Sequence, residues 1–188
     1  MTNDTRTPAQ PSGAENNRLV KLMSMVNTAA IVFFVLLFVP WKKLHDPAKV
    51  RAANQAYNLK HAISAFYTER RRYPVSRSPI ESDSDLMSAL LGTPESETQP
   101  GISPRGIAFY AGKQAEKSGD LWTEGLHPEN QTLYDPWGSL FRIALDAEAE
   151  GQIENPEIPG SMILESVLIW SAGPDQDFDT WEDNVTTW

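Results

Sequence analysis

The sequence predicts an α+β domain that follows a membrane-spanning segment and ends in an acidic loop. Three observations predict this fold class: an uncharged apolar run near the N-terminus, an amphipathic helix after it, and short apolar runs separated by turn residues in the C-terminal half. A helix followed by strands that are joined by turns is typical of a helix packed on a small antiparallel sheet. We therefore expect a disordered tail at 1–17, a transmembrane anchor at 18–43 and a folded domain at 48–188.

Composition excludes several classes of function. The 188 residues carry 16 Lys and Arg against 25 Asp and Glu, which gives a formal net charge of −9. No Lys or Arg follows Arg142, so the C-terminal part is acidic throughout. Such a surface repels phosphate backbones, and we predict that the protein has no nucleic-acid partner. The chain contains no cysteine, which excludes disulfides, thiolate zinc sites and thiol nucleophiles.

The apolar run from Leu22 to Val39 has the length of a single membrane span. About 18 helical residues extend roughly 27 Å, close to the thickness of the hydrocarbon layer. No charged residue interrupts the run, and Trp41, Lys42 and Lys43 follow it, as is typical of a membrane interface. A cleaved signal peptide and a buried core helix are the alternatives. The first lacks a small-residue cleavage site here, and the second would normally keep a polar stripe, so we predict a retained anchor.

The segment after the anchor predicts a helix of about five turns with one apolar face. Three arginines, Arg70 to Arg72, stand at its end, where positive charge is favourable, and Pro74 stops it. The pattern favours a structural role for these arginines at the helix end over a binding patch. Six apolar residues recur at spacings of three and four: Ala52, Ala56, Leu59, Ile63, Phe66 and Tyr67.

The next part of the chain combines loops with two short predicted elements. Most of 75–105 is rich in Ser, Pro and acidic residues, which indicates surface loop. Within it, the segment SDLMSALLG predicts a short helix with its N-terminal cap at Ser84 and its end at Gly92. The run from Gly106 to Gly112 contains β-branched and aromatic residues between glycines and predicts a strand.

Two further strands follow a strong turn signal. Asp135 to Gly138 (DPWG) suits a type I turn, because proline presets φ at the second position and aspartate caps from the first. This turn should open a strand from Leu140 to Leu145. The apolar run Val167 to Trp170 is the best candidate for a central strand.

The residues with the clearest chemistry lie near the C-terminus. Carboxylates recur in the segment PDQDFDTWED, and a hard cation such as Ca²⁺ takes oxygen ligands from loops of this kind. The pattern fails as an EF-hand, because threonines replace the required glycine and the final glutamate. Residue chemistry alone leaves a calcium loop and a solvated acidic loop both open. The candidate ligands are Asp175, Asp177, Asp179, Glu182 and Asp183.

Other chemical motifs are weak, and the sequence predicts no enzyme. The three histidines lie far apart without the spacing of metal ligands, and no nucleophile elbow, phosphate-binding loop or dinucleotide fingerprint occurs. The tryptophans of the C-terminal half favour packing over a ligand groove.

Taken in order, three segments resemble a known family. A helix ending in YTERRRYPV, then YDPWGSLFRI, then VLIWSAGPDQDFDTWEDNVTTW, is similar to the major pseudopilin of type II secretion systems and its type IV pilin-like relatives. The resemblance covers about 48–188, with insertions at 76–105 and 146–160.

The resemblance implies a function without catalysis. Members of this family assemble through the N-terminal helix into a short periplasmic filament, and their C-terminal loop binds calcium. It therefore implies a single-pass protein of the bacterial inner membrane, with its domain in the periplasm and with other pilin-like subunits or secretion-system proteins as partners. Asp175 and Asp183 match the family's loop acids most directly. The alternative function is a stand-alone membrane-anchored periplasmic binding module that does not polymerise.

The N-terminal region departs from the family pattern. Pilin-like proteins begin with a basic leader that ends in glycine, and they carry a glutamate at the fifth mature position of the apolar helix. No such glycine stands before the apolar run here, and the run contains no acid. We therefore expect a pilin-like domain on an unprocessed anchor.

Overall fold

The computed structural model describes residue 21 and the ranges 46–92 and 107–188. The predicted tail and the apolar run Leu22 to Val39 lie outside these residues, and so does the last part of the insertion, 93–105. No helix within the described ranges is both long and apolar enough to cross a bilayer. Residues Asp46–Trp188 form one unit with a common core.

In its described ranges, this unit contains two helices and ten short strands. In chain order they are α1 (Pro47–Arg70), β1 (Ile80–Glu81), α2 (Ser84–Leu91), β2 (Glu116–Ser118), β3 (Leu121–Thr123), β4 (Gly125–Leu126), β5 (Leu133–Tyr134), β6 (Arg142–Leu145), β7 (Ile153–Glu154), β8 (Met162–Ile163), β9 (Val167–Ser171) and β10 (Val185–Thr186).

Local sequence determines both ends of α1. The Asp46 side chain accepts a hydrogen bond from the Ala48 N–H at 2.9 Å, and Pro47 occupies the first turn, where its missing N–H is not needed. Arg71 ends the helix in the left-handed region, with φ 56°, and its N–H donates to the Tyr67 carbonyl. The predicted helix is confirmed, and it ends at the arginines before proline is reached.

One face of α1 is buried against the sheet. The predicted stripe is confirmed except at Tyr67, which is only partly buried, and Ala62 joins the stripe. Phe66 and Phe109 pack edge to face with their ring centroids 5.1 Å apart. Burying the stripe gives the helix a stability that it would not have alone.

The main sheet is antiparallel throughout, in the order β1-β6-β9-β10. All five residues of β9 are buried, which confirms the predicted central strand. Ile143 and Ile169 form a cross-strand pair in the core under α1. Leu168 and Trp170 belong to a second apolar cluster, on the other face of the sheet. A helix on an antiparallel sheet confirms the α+β class.

The strand predicted at 106–112 is wrong for its described residues. The Phe109 and Tyr110 N–H groups both donate to the Leu90 carbonyl, so this stretch satisfies the end of α2 and not a sheet ladder. Its aromatic residues pack on the core under α1, which explains the strand-like composition.

Two predicted boundaries also shift. The cap of α2 is Asp83, whose side chain accepts from the Leu86 N–H at 3.1 Å, and Ser84 is the first helical residue. The end at Gly92 is confirmed by its positive φ of 64°. Strand β6 begins at Arg142, because Leu140 forms only an isolated bridge to Tyr134.

Candidate functional site

The DPWG turn is present and is held by the buried carboxylate of Asp135. Asp135 Oδ1 accepts from the N–H groups of Trp137 and Ser139, both at 2.9 Å. The Gly138 N–H closes the turn onto the Asp135 carbonyl at 3.2 Å, with φ of Gly138 at 96°. The predicted turn is therefore confirmed.

The same carboxylate joins this turn to the end of the central strand. Ser171 Oγ donates to Asp135 Oδ2 at 2.5 Å, and both residues are fully buried. The Gly173 N–H donates to Ser171 Oγ at 3.1 Å, and the Gln176 side chain donates to the Trp137 carbonyl. We call this set of contacts the Asp135 junction. It fixes the C-terminal loop, residues 172–184, to the turn.

Burial raises the pKa of Asp135 above its ordinary value. Hydrogen bonds from Ser171 and from the backbone of Ser139, Trp137 and Gly138 act in the opposite direction, because they stabilise the charged form. The pKa of Asp135 is therefore raised because desolvation of the charged carboxylate outweighs the four hydrogen bonds that stabilise it.

The predicted ligand acids lie mainly on the surface of the C-terminal loop. Asp175, Asp177, Asp179 and Glu182 are exposed, whereas Asp183 is half-buried. Asp175 Oδ1 accepts from the Asp177 N–H at 2.9 Å, and Asp177 Oδ1 accepts from the Asp179 N–H at 3.0 Å. In the described ranges, no three Asp, Glu or His side chains come together to hold a metal.

Two buried oxygens in the same loop have no donor. Asp183 Oδ1 and the neighbouring Asn184 Oδ1 lack a hydrogen-bond partner among the residues that the structure describes. Acceptors without donors suit a cation better than an anion, and all available ligands are oxygens, as Ca²⁺ prefers. The oxygen atoms around Asp183 are therefore suitable ligands for calcium, although the loop does not bring the five predicted acids together.

Glycine is required where the loop begins. Gly173 has a φ of 72°, and a Cβ at this position would lie 2.5 Å from the Asp183 carbonyl oxygen. The two ends of the loop therefore approach each other closely, and they do so only with glycine at 173.

A comparison with known protein families, with curated proteins and with solved structures found no match.

Tryptophan packing closes the loop onto the second face of the sheet. The Trp170 ring centroid lies 5.9 Å from that of Trp188 and 6.3 Å from that of Trp181. The Arg142 guanidinium lies 3.8 Å from the centre of the Phe178 ring. These aromatic residues are packed on the sheet and on one another, as the sequence favoured.

Sequence reasoning missed three residues of the site. They are Ser171, Gly173 and Gln176. Ser171 and Gln176 bond the turn, but their partners lie more than 30 residues away along the chain, and Gly173 bonds Ser171. The signal that was available is the small-residue segment Ser-Ala-Gly directly after a buried strand, since small residues allow close backbone approach.

Proposed function

We propose that this chain is a non-catalytic pilin-like subunit of a type II secretion or type IV pilus-like assembly, anchored in the bacterial inner membrane with its domain in the periplasm. The observation that carries the proposal is the Asp135 junction. Two of the three segments that resemble pseudopilins, the DPWG turn and the SAGPDQ segment, contact each other directly through buried groups. Motifs that act together in one architecture support a common origin better than separate matches do.

The third resembling segment supports the same proposal. The helix that ends in YTERRR is α1, and it packs on the central strand through its stripe. Lys60 of α1 contacts the C-terminal strand region, since its Nζ lies 3.4 Å from the Thr187 carbonyl oxygen and 3.2 Å from Glu165. A long helix, a sheet and a C-terminal loop locked together suit a rigid subunit of an assembly.

Isolation of the native protein from membranes tests this function. We expect the full-length protein to co-purify with other pilin-like subunits after mild crosslinking. A version that begins at residue 46, without the apolar run, is the matched control and should lose these partners. Recovery of a monomer only, or of a partner unrelated to secretion, would contradict the proposal and favour the stand-alone binding module.

We further propose that Ca²⁺ binds the C-terminal loop, with Asp183 as the central ligand and with Asp175, Asp177, Asp179 and Glu182 as the other candidates. Bound calcium would supply positive charge to the oxygens of Asp183 and Asn184 that lack donors. It would thereby fix the loop that the Asp135 junction already holds at one end.

We expect a chelator to lower the thermal stability of the full-length protein and Ca²⁺ to restore it. A ligand at about 100 times its dissociation constant adds about 2.7 kcal/mol to the folded state. Asp183→Asn should abolish this response, whereas Asp120→Asn, in an exposed turn, should leave it intact. Thermal unfolding with chelator, with Ca²⁺ and with Mg²⁺ measures the effect. An unchanged midpoint at millimolar Ca²⁺ would refute the calcium site and leave the assembly proposal standing.

A further inference from the structure

The end of α1 borders a groove of about 800 Å³ with an aromatic and basic lining. The rings of Tyr67 and Tyr73 face each other there, with their centroids 4.7 Å apart. Arg71 and Arg72 stand beside the rings, exposed to solvent. We call this cleft the Arg groove.

The positive charge of the Arg groove is not neutralised within the described part of the chain. Arg71 and Arg72 form no ion pair there, whereas Arg77 pairs with Asp83 and Asp85. Asp146 also lines the groove and keeps its negative charge, but its two carboxylate oxygens accept the N–H groups of Glu150 and Gly151 and pair with neither arginine. Two arginines therefore remain available to an anion on a chain of net charge −9.

The acids of the C-terminal loop carry unpaired negative charge. Asp175, Asp177, Asp179 and Glu182 are exposed, and none of them pairs with a cation in the described ranges. No Lys or Arg follows Arg142 in the sequence, and Arg142 itself, which lies over the Phe178 ring, forms no ion pair with these four acids in the described ranges.

These two charged surfaces lie at opposite ends of β9. The Tyr73 hydroxyl donates to the Ser166 carbonyl at 3.1 Å, which places the Arg groove at the start of the strand. The C-terminal loop leaves the other end, after Ser171. The five residues of β9 span about 16 Å, so the groove and the loop of one copy are too far apart to form ion pairs with each other.

The two surfaces also lie on different faces of the sheet. Residue 67, at the groove, belongs to α1, which packs on one face. Phe178 and Trp181 of the loop pack on the other face, against Trp170. A contact between the groove and the loop therefore has to be made between copies.

We propose that the Arg groove of one copy binds the acidic C-terminal loop of a second copy. The surfaces that meet are different, so the contact is head to tail, and repeating it produces a ring or an open filament. The partner is chosen by charge complementarity between arginines and carboxylates that, in the calcium-free protein, form no ion pair within the described part of their own chain. This contact deepens the proposed assembly function by naming a bond between subunits, but it does not depend on the resemblance to pseudopilins.

Sedimentation of the full-length protein in detergent with chelator tests the contact. We expect association at low salt, about 0.02 M, that is lost at about 0.5 M, because exposed charges are screened within a few ångströms there. Arg71→Gln with Arg72→Gln should weaken association about tenfold or more. Lys117→Glu changes the net charge by the same two units at an exposed position on β2 and should have little effect.

Charge reversal provides a test that does not depend on loss alone. A head variant, Arg71→Glu with Arg72→Glu, and a tail variant, Asp179→Lys with Glu182→Lys, should each fail to associate. Mixing them should restore association, because the unchanged Arg groove of the tail variant then meets the unchanged acidic loop of the head variant. The Asp179 and Glu182 side chains accept no hydrogen bond in the described structure, so their replacement leaves the loop contacts intact.

Three outcomes would overturn the contact: a wild-type protein that stays monomeric at low salt, a reversed variant that still associates alone, or a mixture that does not recover. The assembly function is judged separately, by co-purification with pilin-like subunits, so the two proposals fail independently. Thermal unfolding of each variant confirms that it is folded before it is scored.

Discussion

Asp135→Ala is expected to lower the free energy of unfolding by about 4 kcal/mol. The replacement leaves the partly buried N–H groups of Trp137 and Ser139 and the fully buried hydroxyl of Ser171 without their acceptor. Each unsatisfied buried group costs about 1–3 kcal/mol. Urea denaturation of the full-length protein measures the loss. Asp120→Ala, at an exposed position, should change stability by less than about 0.5 kcal/mol. Equal losses in the two variants would contradict a special role of the Asp135 junction.

The pH dependence of stability provides a second readout at the same residue. Since burial raises the pKa of Asp135, the folded protein holds a proton that the unfolded chain has already released. Stability should therefore be highest below the ordinary aspartate pKa, fall as the pH rises through the raised pKa, and level off above it. Asp135→Asn keeps an acceptor for the two N–H groups and cannot ionise, so its stability should lose this component of the pH profile. A profile identical to that of the wild type would contradict the assignment.

Gly173→Ala is expected to destabilise the protein by about 3 kcal/mol. Part of the loss, about 1 kcal/mol, comes from placing alanine at a φ of 72°, and the rest comes from the contact of its Cβ with the Asp183 carbonyl. Gly151→Ala is a closely matched control, because Gly151 has a φ of 75° and open space around its Cβ position. The difference between the two variants isolates the close approach across the loop.

Chemical denaturation and calcium titration of both glycine variants complete this test. Gly173→Ala should also weaken the response to Ca²⁺, because the ends of the loop must separate. Gly151→Ala should retain the full response. If both variants lost the same amount of stability, the close approach between residues 173 and 183 would not contribute to the stability of the fold.

The elements that depend on local chemistry were predictable from the sequence. The apolar stripe of α1 follows from the spacing of its own residues, three and four apart. The run Val167 to Trp170 is apolar enough to require burial on both faces of a sheet. The DPWG turn follows from the preferences of Asp, Pro and Gly at their positions. These features are confirmed because tertiary packing agrees with local preference.

Elements that depend on distant partners were not predictable. Strand β1 has two residues inside a segment of loop composition, and it exists because Ile80 pairs with Ile143 of β6. The hairpin of β7 and β8 is local, since Ile153 pairs with Ile163, but it lies in an acidic connection that has no strand pattern. In contrast, Tyr110 is of a residue type favoured in strands, but it packs in the core outside any strand. Long-range pairing decides the case of β1, and tertiary packing decides that of Tyr110.

The candidate site was predictable in its residue types but not in its arrangement. The acids of the C-terminal loop were identified, yet most of them are exposed, and the buried carboxylate that organises the region is Asp135, which the sequence marked only as a turn residue. Its bond to Ser171 joins positions 36 residues apart. No local period can reveal such a pair.

The packing of Trp170, Trp181 and Trp188 supplies the protein with an intrinsic optical probe. Trp170 belongs to the central strand and Trp181 to the C-terminal loop, so their mutual distance records whether the loop is seated on the sheet. The three indole centroids lie 5.9 to 6.3 Å apart, and rings held in such fixed packing give circular dichroism in the near ultraviolet that is lost when the packing is lost. Seating and release of the loop can thus be followed in the unlabelled protein, in detergent or in a membrane, without altering a single residue.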